Sequence, residues 1–126
     1  DRCKIYDDVG VILKLNDDQF EIHALEGTLY MDGNSKIEEC YKKQNEITKE
    51  IQNSLSSISK KDTWFVSKKN LKKHQLSVKY NDFDLPEGGM VRITCYEIKR
   101  GVKKYSDTNL LYVVINSAEF IKYLTN

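Results

Sequence analysis

The chain has 126 residues and a formal net charge of +1, which predicts one domain and excludes a strong overall attraction to nucleic acid or membrane. Hydrophobic residues make up 40% and charged residues 31% of the chain, as in ordinary globular domains. No apolar run approaches the roughly 20 residues of a transmembrane helix. Electrostatic attraction to a partner must therefore come from a local cluster of charges.

The first quarter of the chain predicts three successive strands. Apolar and polar residues alternate in DVGVILKLN and in QFEIHAL, and TLYM follows. Turn-type residues at 16–18 and at 26–27 separate the three runs. In the first run, one face is expected to collect Val9, Val11, Leu13 and Leu15.

From Ser35 onward the apolar residues change to the period of a helix. Ser35 and Glu38 form an S-x-x-E capping box at its start. The apolar stripe that follows consists of Ile37, Cys40, Tyr41, Ile47, Ile51, Leu55 and Ile58. This spacing predicts an amphipathic helix of about six turns, with a weak end at the serines between residues 54 and 59.

The second half predicts two or three further strands and a closing helix. HQLSVKYNDF, MVRITCYEIKRG and NLLYVVI have strand-like patterns, TWFV is a candidate short strand, and LPEGG is a turn. NLLYVVI is apolar on both faces, so a central position in the sheet is expected. NSAEFIKYL predicts a helix whose Phe120, Leu124 and Tyr123 face inward.

The element order lacks the strict strand–helix alternation of an all-parallel doubly wound sheet. It is similar to the order of an OB-fold barrel. We therefore predict that residues 1–126 form a single α+β domain. The expected architecture is an OB-like antiparallel barrel of five to six strands, with the long helix between strands 3 and 4 and a short C-terminal helix. An unrelated α+β roll would give the same order.

The sequence contains no arrangement typical of catalysis, metal binding or nucleotide binding. His23 lies on the polar face of a predicted strand, and His74 lies in a lysine-rich segment. Cys95 lies on an apolar face, where a thiol is usually inert. P-loop, G-x-G-x-x-G and EF-hand spacings are absent. We therefore predict a protein that is not an enzyme and that needs no cofactor or metal.

The three cysteines are Cys3, Cys40 and Cys95. They allow one disulfide in a secreted protein, or three free thiols in a cytosolic one. The absence of a C-x-x-C pair argues against a structural zinc site. For a single disulfide, Cys3–Cys40 is preferred, because it would fasten the N-terminus to the long helix.

A basic segment is the strongest candidate for a binding surface. KKDTWFVSKKNLKKH, residues 60–74, combines six lysines with the only tryptophan, and KRGVKK, residues 99–104, adds a second basic turn. Lysines attract phosphate or sulfate as point charges, and an exposed tryptophan can stack on a base or sugar ring. The residues predicted to contact an anionic partner are Lys60, Lys61, Trp64, Lys68, Lys69, Lys72, Lys73 and Arg100.

Two interpretations of this segment remain open. The lysines can simply be solvated loop residues, with Trp64 and Phe65 closing the end of the barrel. If they bind an anion, the predominance of lysine over arginine favours sulfated glycan or nonspecific backbone contact over base reading.

The segments DRCKIYDDVGVILKLNDDQFEIHALEGTLYMD and KIEECYKKQNEITKEI resemble the C-terminal domain of the mosquito salivary TRIO-type proteins. The resemblance covers the first half of the chain and includes no catalytic signature. It implies a non-enzymatic domain of a longer protein secreted in saliva, and the start at Asp1 rather than Met agrees with a fragment. Such a domain would bind host protein or glycosaminoglycan and modulate the host inflammatory or immune response.

The alternative function is an intracellular OB-type domain that binds single-stranded nucleic acid through the same basic surface and aromatic residues such as Tyr96. The redox state of the cysteines distinguishes the two functions, because a stable disulfide favours the secreted protein.

Overall fold

Six antiparallel strands and two helices make up the described part of the chain. A computed structural model describes residues 6–14, 21–32, 35–54, 62–101 and 108–125. The elements in chain order are β1 (Asp8–Leu13), β2 (Ile22–Tyr30), α1 (Ile37–Ser54), β3 (Asp62–Phe65), β4 (Gln75–Asp84), β5 (Met90–Ile98), β6 (Leu110–Asn116) and α2 (Ala118–Thr125). The fold is therefore α+β. The second half forms four strands, one more than the largest number predicted, and its closing helix is confirmed.

All six strands belong to one sheet with the order β1-β2-β6-β5-β4-β3. β6 lies between β2 and β5, which confirms the central position predicted from its two apolar faces. β1 and β3 are the edges of the sheet, and no ladder joins them within the described residues. The sheet is therefore open, and its closure into an OB-like barrel stays a prediction.

The turn predicted at residues 26–27 is wrong, because β2 continues through both residues. Strand β2 pairs with β1 on one side and β6 on the other, so the backbone groups of Glu26 and Gly27 lie within two ladders. Gly27 also accommodates the ring of Tyr6, since a Cβ at residue 27 would lie 3.0 Å from Tyr6 Cγ. Two of the predicted strands are thus one strand, and α1 follows the second described strand instead of the third.

Helix α1 packs on one face of the sheet, mainly against β5. We call this the helix face and the opposite side the open face. Of the predicted stripe, Cys40 and Ile47 belong to the core, and Ile37, Tyr41 and Ile51 pack against it, which confirms the predicted inward face of the helix. Leu55 and Ile58, the last two stripe residues, lie outside the described ranges.

Cys40 of α1 and Cys95 of β5 form a disulfide, with their Cα atoms 6.0 Å apart. Both residues are fully buried. The predicted Cys3–Cys40 pairing is therefore wrong, and Cys3 itself lies outside the described residues. The physical reason is that the inward stripe of α1 points Cys40 at the centre of the sheet, where strand alternation places Cys95.

Buried polar side chains also cross the interface between α1 and the sheet. Gln44 Nε2 donates to one carbonyl oxygen of β4 and one of β5, at 3.0 and 2.8 Å. Asn81 Nδ2 donates to Thr48 Oγ1 at 3.1 Å, and Asn81 Oδ1 accepts from Thr63 Oγ1 at 2.8 Å. Gln44, Thr48 and Asn81 are at most 2% exposed, so these bonds fix the position of the helix on the sheet.

Several apolar side chains of β1 and α2 are exposed. Val9 and Val11 of β1 are exposed, because α1 lies over β5 and β6 instead of β1. In α2, Phe120 stacks on His23 with ring centroids 5.2 Å apart. The inward orientation predicted for Leu124 and Tyr123 is wrong, since both side chains are exposed.

Candidate functional site

Two basic loops meet at one end of the sheet. The first connects β3 to β4 and contains a short 3₁₀ turn, Lys68–Asn70. The second follows β5 and includes Lys99 and Arg100. The backbone N–H of Lys99 donates to the carbonyl oxygen of His74 at 2.8 Å, which holds the second loop beside the first.

Six cations are exposed at this end, which we call the basic end: Lys68, Lys69, Lys72, Lys73, Lys99 and Arg100. Neither residues 66–74 nor residues 99–101 contain an aspartate or glutamate. No ion pair involves these six side chains within the described part of the chain. Among the described residues, the basic end therefore presents mainly positive charge to the solvent, and Glu38 and Glu97 share a pocket with its Arg100. Lys60 and Lys61 lie outside the described residues.

Local hydrogen bonds order the backbone that carries the lysines. The Asn70 N–H donates to the Ser67 carbonyl at 2.9 Å. Lys72 and Gln75 bond reciprocally, because the Gln75 N–H donates to the Lys72 carbonyl and Gln75 Oε1 accepts from the Lys72 N–H. These bonds order the loop backbone, from which the lysines project as point charges on four-carbon stems.

Trp64 lies apart from the basic end, on the open face of the sheet. Its ring packs on Tyr80, the residue opposite it on β4, with centroids 4.3 Å apart. The guanidinium carbon of Arg92 lies 5.1 Å from the centroid of Trp64 and 4.3 Å from that of Tyr80. Trp64 Nε1 donates to Asp82 Oδ2 at 2.9 Å. The sequence placed Trp64 among the lysines, but the structure assigns it to a different cluster.

Arg92 and Asp82 form a two-pronged ion pair in this cluster. Arg92 Nε and Nη2 each donate to one oxygen of Asp82 at 2.9 Å. This hydrogen-bonded carboxylate raises the pKa of Arg92 above its ordinary value. Asp62 stands directly opposite Asp82 on β3, and like charges in that position are destabilising. Arg92 therefore offsets a repulsion that the two aspartates would otherwise have.

Removal of the central carboxylate is expected to lower the stability of this cluster. Asp82→Ala should reduce the free energy of unfolding by about 2 kcal/mol, because Arg92 would keep its partly buried charge without a partner. Urea unfolding followed by circular dichroism measures the loss. Asp62→Ala is the matched control and should be neutral or slightly stabilising, because it removes one of two opposed carboxylates. Equal losses in the two variants would contradict the role given to Asp82.

Three more tyrosines, Tyr30, Tyr96 and Tyr112, lie on the open face by strand register. Burial, together with a hydrogen bond to Glu26, raises the pKa of Tyr112 above its ordinary value. The Tyr30 hydroxyl donates to Asp8 Oδ2 at 3.2 Å. These residues are not adjacent in sequence. In the sequence they appear only as single aromatic residues in separate predicted strands. They form a common surface only when the strand register is known.

The side chains considered for catalysis do not meet. Cys95 is bonded to Cys40 and so is not a thiolate. His23 stacks on Phe120, whereas His74 lies in the first basic loop. No group of three histidine, cysteine, aspartate or glutamate side chains within the described residues is arranged to hold a metal ion.

Comparison of the chain with protein-family models, curated proteins and solved structures gave no match. The resemblance to the salivary TRIO-type proteins thus stays a prediction from the sequence. In the part of the chain that the structure describes, no helix combines the length and apolar composition of a membrane span.

Proposed function

We propose that this protein is a non-enzymatic secreted module that binds host molecules through its basic end. The favoured partner is a sulfated glycosaminoglycan, although a host protein with an acidic surface would use the same residues. The supporting observation is the hydrogen bond from Lys99 to His74, which places the two basic loops side by side. Modulation of the host inflammatory or immune response, and an origin in saliva, follow from the sequence resemblance alone.

The chemistry of the basic end favours a polymer with repeated sulfate groups. Five of its six exposed cations are lysines, whose ammonium groups act as point charges on flexible stems. They do not offer the planar fork with which arginine holds a single phosphate or carboxylate. Because the net charge of the chain is only +1, attraction must arise locally at this end, and salt must weaken it.

The disulfide supports an extracellular location. Cys40 and Cys95 are bonded in the core, and such bonds persist mainly in oxidising compartments. An intracellular domain would ordinarily keep these residues as thiols. This argument favours the secreted module over the intracellular alternative.

One observation favours binding of single-stranded nucleic acid as the second candidate function. Trp64, Tyr80 and Tyr96 lie on the open face of a sheet, where aromatic rings can stack on bases. However, Glu26 and Asp82 share that face, and carboxylates repel a phosphate backbone. The aromatic rings and the basic end also belong to different surfaces, so this alternative is the weaker one.

Heparin binding in a salt series tests the proposed function. The wild-type protein should bind immobilised heparin at physiological salt. Substitution of Lys68, Lys69, Lys72 and Lys73 by alanine should weaken binding about tenfold or more and make its salt dependence shallower, because fewer counterions are released. An immobilised single-stranded oligonucleotide, measured in parallel, tests the second candidate.

The matched control removes four lysines elsewhere: Lys42, Lys43 and Lys49 of α1 and Lys122 of α2. It changes the net charge equally but leaves the basic end intact. An equal loss of heparin binding in the control would attribute the binding to net charge alone. Absence of wild-type binding to heparin would contradict the proposal, and preference for the oligonucleotide would favour the second function.

A further inference from the structure

The helix face of the sheet is apolar as far as its edge strand β1, beyond the part that α1 covers. Strand register aligns Val91, Ile115, Leu25 and Val11 in one row across this face. The exposed fraction rises along the row from 0% at Val91 to 41% at Leu25 and 51% at Val11, because α1 lies over β5 and β6. The apolar surface of the core therefore continues to the edge and becomes accessible to solvent there.

Strand β1 presents only apolar side chains on the helix face. Val9, Val11 and Leu13 are 71%, 51% and 46% exposed, and Ile22, opposite Leu13 on β2, is 49% exposed. Together with Leu25 they form a patch on the order of a few hundred Å², the size at which exposed apolar surface marks an interaction site.

The backbone of β1 is also available for pairing. Its only ladder within the described residues is the one with β2, so the N–H and C=O groups on its other side can bond to a further strand. The segment Asp8–Leu13 contains neither proline nor lysine, the residues that commonly protect an edge. Its alternation is regular, because the extra residue at the register shift, His23, belongs to β2. Such an edge is suited to strand addition.

The other edge of the sheet, β3, is less suited to strand addition. It has only four residues and begins with the charged Asp62. On its helix face, Phe65 packs edge-on against Tyr41 of α1, with ring centroids 6.4 Å apart. An accessible apolar face and a long free edge therefore coincide at β1.

The sequence of β1 is complementary to itself in one antiparallel register, with Val11 on a twofold axis. In that register Val11 is opposite Val11 of a second copy, and Val9 is opposite Leu13 of that copy. A twofold axis repeats every contact, so the Val9–Leu13 pair occurs twice. All the apolar side chains that β1 presents on the helix face then meet apolar side chains.

The charges that flank β1 fit the same register. Asp8 and Lys14 of different copies become opposite neighbours twice, and opposite charges in that position are stabilising. Lys14 stays beside the sheet because its N–H donates to the Glu21 carbonyl oxygen at 2.9 Å, and its ammonium also pairs with Glu119 and Glu21 of its own copy. Asp8 and Lys14 of one copy are six residues apart, roughly 20 Å along an extended strand, so they cannot pair with each other.

We propose that this protein forms a twofold-symmetric dimer in which the β1 strands of two copies pair in this register. Pairing joins the two six-stranded sheets into one continuous sheet and covers the apolar edge of each copy. An interface of one strand pair and two short apolar rows belongs to the small class, which is typical of transient association. The dimer should therefore be in equilibrium with the monomer at about micromolar concentrations.

Analytical ultracentrifugation of the wild-type protein between about 5 and 500 µM measures this equilibrium. Val11→Lys brings two like charges together at the twofold axis and should weaken dimerisation about tenfold or more. The matched control is Leu76→Lys, because Leu76 of β4 is similarly exposed, at 54%, and lies away from β1. It should change dimerisation less than about twofold. Circular dichroism checks that both variants are folded.

Cross-linking tests the register without changing the charge. In a Cys3→Ser background, Val11→Cys should form a covalent dimer on mild oxidation, because directly opposite residues have Cα atoms about 4.5–5.5 Å apart, within disulfide range. Val9→Cys is the matched control: the two substituted positions would be four residues out of register, roughly 14 Å apart. Val9 is the more exposed residue, so random collision would favour the control.

Both measurements omit heparin, so their outcome does not depend on the proposed function. A concentration-dependent dimer that is weakened in Val11→Lys and cross-linked in Val11→Cys supports the proposal. A wild-type protein that stays monomeric up to about 500 µM overturns it. It is equally overturned by unchanged association in Val11→Lys, by equal weakening in Leu76→Lys, or by equal cross-linking in the two cysteine variants.

Discussion

The Cys40→Ala/Cys95→Ala variant is expected to lose about 4 kcal/mol of unfolding free energy, because a cross-link over a loop of this size restricts the unfolded chain by that amount in the chain-entropy model. The bond spans 55 residues and ties the middle of the sheet to α1. Both residues are fully buried, so the shortened side chains also lose contacts in the core. A domain of this size has about 5–15 kcal/mol in all, which makes the expected loss large.

Urea unfolding of the double variant and of the wild-type protein, with and without a reducing agent, measures this loss. Reduction should lower the stability of the wild type but leave the double variant unchanged. Cys3→Ser is the matched control, since it leaves the Cys40–Cys95 bond in place and should retain the wild-type response to reduction. If reduction leaves the wild-type midpoint unchanged, the disulfide does not stabilise the fold as argued.

The strand positions of the second half could be predicted because period-two alternation is a local property of the chain. The clearest case is β6, whose apolar residues on both faces indicated its place between two strands. The pair Glu26–Gly27 misled the same reasoning. Glycine is typical of turns, but here the strand is paired on both sides and Tyr6 covers the glycine. Both contacts are with residues distant in sequence, so a local pattern cannot reveal them.

The disulfide could be foreseen only in part. One bond among three cysteines was expected, and Cys40 and Cys95 were both assigned to apolar faces. Which faces pack together depends on where α1 crosses the sheet, and sequence periodicity does not specify that position. The burial of the polar residues Gln44, Thr48 and Asn81 was not predicted, for a related reason. A helix stripe defined by its apolar residues leaves out a buried amide such as that of Gln44, which donates to the sheet.

The candidate site, too, could be predicted only in part. The lysines were recognisable because they are consecutive in sequence, and their meeting with Arg100 required the contact between β4 and β5. Trp64 is close to the lysines in sequence, yet strand alternation turns it to the open face beside Asp82. The carboxylates and tyrosines of the open face come from all six strands and are brought together by register alone, so the sequence by itself gave no signal for this surface.

The buried amide of Asn81 is the position where a single charge should do most damage. Asn81 is fully buried and bonded to Thr48 and Thr63. Asn81→Asp keeps the size of the side chain but introduces a carboxyl group whose ionised form cannot be hydrated. Burial should therefore raise the pKa of this carboxyl well above its unfolded value of about 3.9, by roughly 3 units.

The sign of the pH dependence follows from this raised pKa. Below about pH 3.9 the carboxyl is neutral in both states, so it carries no charge penalty. As the pH rises, the unfolded chain releases the proton while the folded chain retains it, and stability falls by about 1.4 kcal/mol per pH unit until the folded pKa is reached. Relative to the wild type, we expect a loss of about 4 kcal/mol at pH 7 that largely disappears near pH 4.

Urea unfolding of Asn81→Asp and of the wild type at several pH values between 4 and 7 measures this difference. Asn45→Asp is the matched control, because residue 45 is exposed on α1 and its new carboxylate stays hydrated. That control should lose less than about 1 kcal/mol at every pH. A loss in Asn81→Asp that does not change with pH would mean that the carboxylate reaches water. In that case the chain of hydrogen bonds from α1 to β3 would not be sealed within the core.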